Sequence, residues 1–324
     1  MRRLLHKLVR IPTPLIFLVS GVAAVILLWR EGSLAGIAEA ARGADLPIAI
    51  AGFALYLVGL ALLCFRWHML VVMTKGGSSL PRASEAFLTS VVINYAAPVG
   101  LAVPTRAALT KRALGLSVGE TGAVAFWEIV SDVLVLGIGT SLWLATASGG
   151  SSALAGRAGQ NGALVLLALV FGLVFVGGVI GKSTALRRRF RDVAAGAIRY
   201  PRARPATAGL VVGVSLGYWV LQGVVLALLL DAFGTSADAG VVLGLISMPV
   251  LVGMLSPVPG GAGVREALMV VVAGVHGADP AAVLVAAVTY RVALFAAIPV
   301  LYIVVRLWLR LVGRRAGEPT VTDG

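Results

Sequence analysis

The residues of this chain with chemistry to offer are few, and they sit where an apolar sequence would ordinarily exclude them. The stretch Ser256-Pro257-Val258-Pro259-Gly260-Gly261-Ala262-Gly263-Val264-Arg265-Glu266 breaks a long apolar run. Its prolines withhold backbone donors, its glycines admit unusual backbone angles, and a charged pair follows at once. A helix beginning near Gly263 would offer free N–H groups and the positive end of its dipole to an anion. Gly260, Gly261 and Gly263 would let that anion approach the backbone. Arg265, in the first turn, could bind two phosphate oxygens as a fork. Glu266 would neutralise its neighbour or touch a headgroup. A second break runs from Asn94 through Pro98, Gly100 and Pro104 to Arg106. Pro104 suits a first helical position, and Arg106 follows it in the same relation as Arg265 follows Gly263. The expectation is that two helix starts and two arginines converge on one anionic group. The plainer alternative is a pair of turns whose arginines reach for headgroups.

Other ionisable residues also lie inside apolar runs. Glu128 and Asp132 are one helical turn apart and so share a face, and Arg291 follows Tyr290 in a further run. A central acid or arginine facing lipid costs roughly 2.5–3.5 kcal/mol on insertion scales, so these side chains are expected to face inward. Two readings stay open. They form a polar pathway, or they form a buried ion pair between an acid and Arg291, Arg106 or Arg265. Gln222 is expected to hydrogen-bond between helices. The histidines, His6, His68 and His276, are scattered, and the chain has one cysteine, Cys64. No metal-ligand spacing, nucleophile elbow or nucleotide loop is present, so no metal, no cofactor and no enzymatic activity are expected.

These residues must be positioned by a membrane fold. The 324 residues are 59% hydrophobic and 13% charged, with a mean hydropathy of +0.98. That leaves too little polar surface to cover a soluble globule. The net charge of +13 lies between apolar runs, not on an aromatic-studded stripe, so it points to membrane orientation and not to nucleic acid. Full-length apolar runs near 14–30, 46–65, 118–145, 161–181, 208–231 and 280–306 each approach the ~20 residues a helix needs to cross the hydrocarbon core. The first follows a basic segment, Met1 to Arg10, and reads as an uncleaved anchor. Stretches 84–114 and 239–276 are the two broken ones, each a half-helix, a turn and another half-helix.

The loop from Lys182 to Arg204 carries eight basic residues against Asp192, and the linkers near Asp231, Asp238 and Asp279 are poor in them. The basic loop and both termini are therefore expected in the cytoplasm. Each broken stretch must then return to the side it entered from, or cross as two short spans with a tight loop. The expected fold is an all-α integral membrane protein of six transmembrane helices and two re-entrant hairpins. It forms one polytopic domain over 1–316, with inverted halves at 46–145 and 208–306 and a disordered tail at 317–324. Paired interrupted segments of this kind mark the midplane site of a transporter.

At its two breaks the chain resembles the flippase-like membrane family typified by the transmembrane domain of lysylphosphatidylglycerol synthases. Asn94, Pro98 and Arg106 match the first motif of that family, and Pro259, Gly260, Gly261, Gly263 and Glu266 match the second. Ala102 and Val103 depart from the glycine and acid usual there. The resemblance covers about 46–306. It implies movement of a phospholipid or polyprenyl-phosphate-type lipid with an anionic headgroup across the plasma membrane, with a lipid-modifying enzyme as a possible partner. Bifunctional members carry a soluble aminoacyl-transfer domain after the membrane part. None follows here, so flipping without aminoacylation is expected. The alternatives are a membrane-embedded transferase using Glu128 or Asp132 as base, and a partner subunit that transports nothing.

Overall fold

The computed structural model describes residues 42–96, 111, 114–146, 184–255, 261 and 263–315. The expected spans at 14–30 and 161–181, the first break from Pro98 to Arg106, Gly260 and the tail lie outside them. The described residues are helical, without strands, and form eight helices. These are α1 (Leu46–Lys75), α2 (Leu80–Ala96), α3 (Val118–Thr146), α4 (Thr184–Ala203), α5 (Pro205–Ala232), α6 (Ala239–Leu255), α7 (Val264–Val275) and α8 (Pro280–Arg315).

Helices α1, α3, α5 and α8 are long and apolar enough to cross a bilayer, and they cover four of the six expected spans. Each is apolar on its outer face as well as its inner one. Ile50, Val58, Ile129, Ile138, Leu216, Val220, Val292 and Ile303 are among many exposed large side chains, as in helices surrounded by lipid. Helix α1 runs past the expected boundary at residue 65 to Lys75. The reason is local. Arg66, which ends the apolar run in sequence, is turned into the protein and is 3% exposed, so it need not mark the edge of the hydrocarbon.

The central seam joins α1 to α5. Along α1, Gly52, Gly59 and Arg66 recur every seventh residue. Along α5, Ser215, Gln222 and Leu229 do the same. The helices run antiparallel, and a Cβ placed on Gly52 would lie 3.7 Å from Leu229, while one on Gly59 would lie 2.2 Å from the Gln222 amide nitrogen. Arg66 reaches Ser215. Small residues on α1 thus admit the bulkier residues of α5, the usual route to close helix contact where no hydrophobic force drives association. Around this pair, α6 packs on α3 and α2 packs on α8. Gly244 of α6 gives way to the buried Trp143 indole of α3, and Arg306 of α8 pairs with Glu85 of α2 at 2.6 Å.

The two ends of the bundle differ in charge. At one end Asp45, Asp238 and Asp279 accept the first free N–H groups of α1, α6 and α8, which satisfies donors that a helix leaves unpaired. At the other, Arg204 donates to the Met73 carbonyl at 2.6 Å and Lys75 to the Leu114 carbonyl at 2.8 Å, placing cations at the negative end of α1. The segment between Lys182 and Arg204, expected as a loop, is mostly the helix α4. Val193, Gly196, Ala197 and Tyr200 recur at helical spacing and seat it on α3. Gly122 leaves room for Val193, and the Trp127 indole donates to the Ala197 carbonyl at 2.7 Å.

Helices α6 and α7 form a hairpin whose outer ends lie at the aspartate end. The Trp143 indole donates to His276 Nε2 at 3.0 Å, tying the end of α7 to the end of α3. Its inner turn is closed by glycine against glycine, since a Cβ on Gly261 would lie 2.7 Å from the Gly253 Cα. Gly261 and Gly263 both have positive φ, 63° and 80°, but nothing lies within 4 Å of a Cβ on Gly263. The two therefore separate backbone strain from collision. Gly263→Ala is expected to cost about 1–2 kcal/mol for its left-handed conformation. Gly261→Ala costs more, because backbone must also move. Thermal unfolding followed by labelling of Cys64, which is buried, would rank them.

Candidate functional site

The charges inside the bundle fall into two groups that face one cavity. The first is centred on Arg66. Its guanidinium forks onto Asp132, with Nη1 on Oδ1 and Nη2 on Oδ2, the latter at 3.1 Å. Nη1 also donates to Ser215 Oγ at 3.1 Å, and Nη2 lies 3.9 Å from Glu128. Asp132 accepts a further bond from the Trp219 indole at 2.8 Å. Three helices are tied here, α1 through Arg66, α3 through Glu128 and Asp132, and α5 through Ser215 and Trp219. The one-turn spacing of the two acids lets a single guanidinium meet both. Fork geometry and the extra donors offset the cost of taking both charges out of water.

The second group joins α7 to α8 through two neighbouring pairs. Arg265 lies over the Tyr290 ring at 4.8 Å, and Glu266 meets Arg291 at 2.9 Å. Glu266 also accepts the Gly263 N–H at 2.7 Å. This is half of a capping box, glycine having no side chain to complete it. Tyr290 in turn donates its hydroxyl to Gln222 at 2.6 Å and meets Tyr56 edge to face at 5.1 Å, which links the group to the α1–α5 seam. One guanidinium nitrogen of Arg265, Nη2, is buried and has no hydrogen-bond partner among the described residues.

Between the groups lies a cavity of about 350 Å3, lined by Arg66, Glu128 and Asp132 on one side and by Arg265, Tyr290 and Arg291 on another, with apolar side chains of α1, α2, α5 and α6 filling the rest. Arg265, Glu128, Asp132 and Arg291 are thus brought to one space. Gly261, Gly263 and Glu266 shape the turn that carries Arg265. Asn94 lies on the last turn of α2. Arg106 and Gly260 fall outside the described residues.

Two sequence expectations are corrected. Asp132 has Arg66, an arginine not among those expected, as an ion-pair partner; the same guanidinium lies 3.9 Å from Glu128, Arg291 pairs with Glu266, and Arg106 lies outside the described residues. Glu266 neutralises Arg291, not its neighbour Arg265. At the start of α7 the Glu266 carboxylate occupies one of the free N–H groups, that of Gly263. A second anion there would meet that negative charge, so the open donor is the Arg265 side chain. Arg66, Ser215 and Trp219 were missed. Arg66 was read as the limit of a span, whereas its seven-residue spacing from Gly52 and Gly59, matched by Ser215 and Gln222, was the signal that it faced a partner.

A buried pair of this kind is costly to halve. Arg66→Ala or Asp132→Ala is expected to destabilise the protein by about 3–5 kcal/mol, because each leaves an uncompensated charge. Arg66→Met combined with Asp132→Leu should recover part of that loss. Unfolding monitored through Cys64 would show non-additivity, and equal, additive losses would refute the pairing.

A family model described as Lysylphosphatidylglycerol synthase TM region matches residues 15–301. No curated protein and no solved structure matches the chain significantly. The matched region contains both breaks, the α1–α5 seam and every cavity-lining charge, and on that extent the chain belongs to the family of the lysylphosphatidylglycerol synthase transmembrane region.

Proposed function

We propose that the protein is a lipid translocase in which an anionic headgroup enters the cavity and pairs with Arg265 while its acyl chains stay in lipid. The observation that carries this reading is the Arg265 Nη2 atom, buried without a hydrogen-bond partner among the described residues beside a cavity of about 350 Å3 within helices whose outer faces are apolar. A buried donor of a charged group left unmatched is expensive, and a phosphate oxygen would satisfy it. The volume suits a headgroup, not a whole lipid. Family membership, which relates the chain to lipid modification or flipping, supports the same class of substrate.

The wider architecture belongs to this proposal. The α6–α7 hairpin opens and closes at one end of the bundle, which supports a re-entrant element. The α2 and α6 helices are equally long, and each hairpin segment packs on the last long helix of the other half, which supports an inverted repeat. On this reading Arg106, outside the described residues, is the first hairpin's counterpart of Arg265, and Asn94 precedes it in the chain. Rocking of the halves about the α1–α5 seam would expose the cavity to either leaflet. The basic end lies in the cytoplasm with both termini, the membrane is the plasma membrane, and a lipid-modifying enzyme supplies or consumes the lipid. Asp132 is engaged by Arg66 and Trp219 and is poorly placed as a general base; Glu128, on the cavity wall 3.9 Å from the same guanidinium, is the residue on which the alternative transferase reading rests.

The test is transbilayer movement of fluorescent phosphatidylglycerol or of a polyprenyl phosphate in liposomes containing the full chain. Arg265→Ala is expected to slow it by about tenfold or more, the worth of one hydrogen bond to a charged group, without lowering the unfolding temperature to the extent that Arg66→Ala does. Unchanged movement in Arg265→Ala, or none in the wild type with any such lipid, would refute the proposal.

A further inference from the structure

The α4 helix carries charges that the cavity does not use. Positions 191, 199 and 202, all arginine, fall within about one quarter of the helix circumference at 3.6 residues per turn. The opposite arc, with Val193, Gly196, Ala197 and Tyr200, is the face seated on α3. Arg191, Arg199 and Arg202 are exposed, and Asp192 is the one acid of the helix. Arg199 lies over the Tyr200 ring at 4.9 Å, which holds it against the helix without neutralising it. Ile198, on the basic face itself, is 55% exposed. An isoleucine among arginines fits a boundary between headgroups and acyl chains better than bulk water.

We infer that α4 is a second lipid-binding element, which holds anionic phospholipid headgroups of the adjoining leaflet against its arginine face, apart from the cavity. Its place in the bundle supports this. Arg204, directly after α4, is bonded to the last turn of α1, so the helix lies at the end where the apolar spans stop. Exposed Lys75, Arg82, Lys111 and Arg310 extend the positive field there. The bond from Trp127 to Ala197 seats α4 one residue before Glu128, so an occupied α4 is mechanically joined to the helix that lines the cavity. The inference rests on the basic end lying at a membrane surface, but not on transport.

The full chain would be placed in nanodiscs of phosphatidylcholine with or without phosphatidylglycerol, and the phosphatidylglycerol retained would be counted by native mass spectrometry across a salt series. The triple variant R191Q/R199Q/R202Q is expected to weaken retention roughly fivefold for each arginine, with Cys64 labelling on heating unchanged, and the corresponding triple lysine variant is expected to retain the lipid. Equal retention in wild type and glutamine variant would overturn the inference. So would loss of the lipid in Arg265→Ala alone, which would assign it to the cavity. Binding of soluble glycerol phosphate in phosphatidylcholine nanodiscs, as tight as that of the lipid, would overturn it as well by assigning the face to free anions.

Discussion

The fork between Arg66 and Asp132 is the constraint on which the rest of the structure depends. In a medium without water, neither ion can be left alone, and each can be buried only by bringing the other to it. That demand fixes the rotation of α1 and α3 toward each other. Ser215 and Trp219 then add α5, because the guanidinium and carboxylate retain capacity that must be filled. The seven-residue ladder of Gly52, Gly59 and Arg66 against Leu229, Gln222 and Ser215 lets the α1 and α5 backbones come close enough for those bonds. Electrostatics and steric fit therefore specify the same register.

The cavity exists because its two charged groups are treated differently. Around Arg66 both terminal guanidinium nitrogens have acceptors, so the group is a fastening. Around Arg265 the cation is held by an aromatic face, and its neighbour Glu266 is spent on Arg291 and on the turn of α7. What remains is a positive group with a buried donor and open space before it. Gly261 and Gly263, just before that arginine, take positive φ that glycine allows without strain, so these glycines have a positional use.

Much of this was legible in residue types and spacing. Hydropathy predicted the four described spans, the glycine-proline break predicted a helical hairpin over 239–276, and the one-turn spacing of Glu128 and Asp132 predicted an inward-facing acidic pair. The partners were not legible. No sequence rule ranks one arginine above another as a partner for an acid, and the structure brings Arg66 to Asp132 because α1 and α3 are neighbours, while Glu266 of α7 meets Arg291 of α8. The helix α4 was concealed by its charge, since a stretch so rich in arginine looks like a loop until its small residues are counted at helical spacing.

By itself the sequence determined the medium, the rough limits of four long apolar helices and the difference in charge between the two ends. These follow from local properties, because transfer into lipid, helix capping and the conformations open to glycine and proline are decided within a few residues. Only the tertiary structure decided which arginine meets which acid, which donor is left open and where the cavity lies. Those depend on contacts between segments more than sixty residues apart in the chain, such as Arg66 with Asp132 and Tyr290 with Gln222, and no local pattern records how helices are rotated against one another.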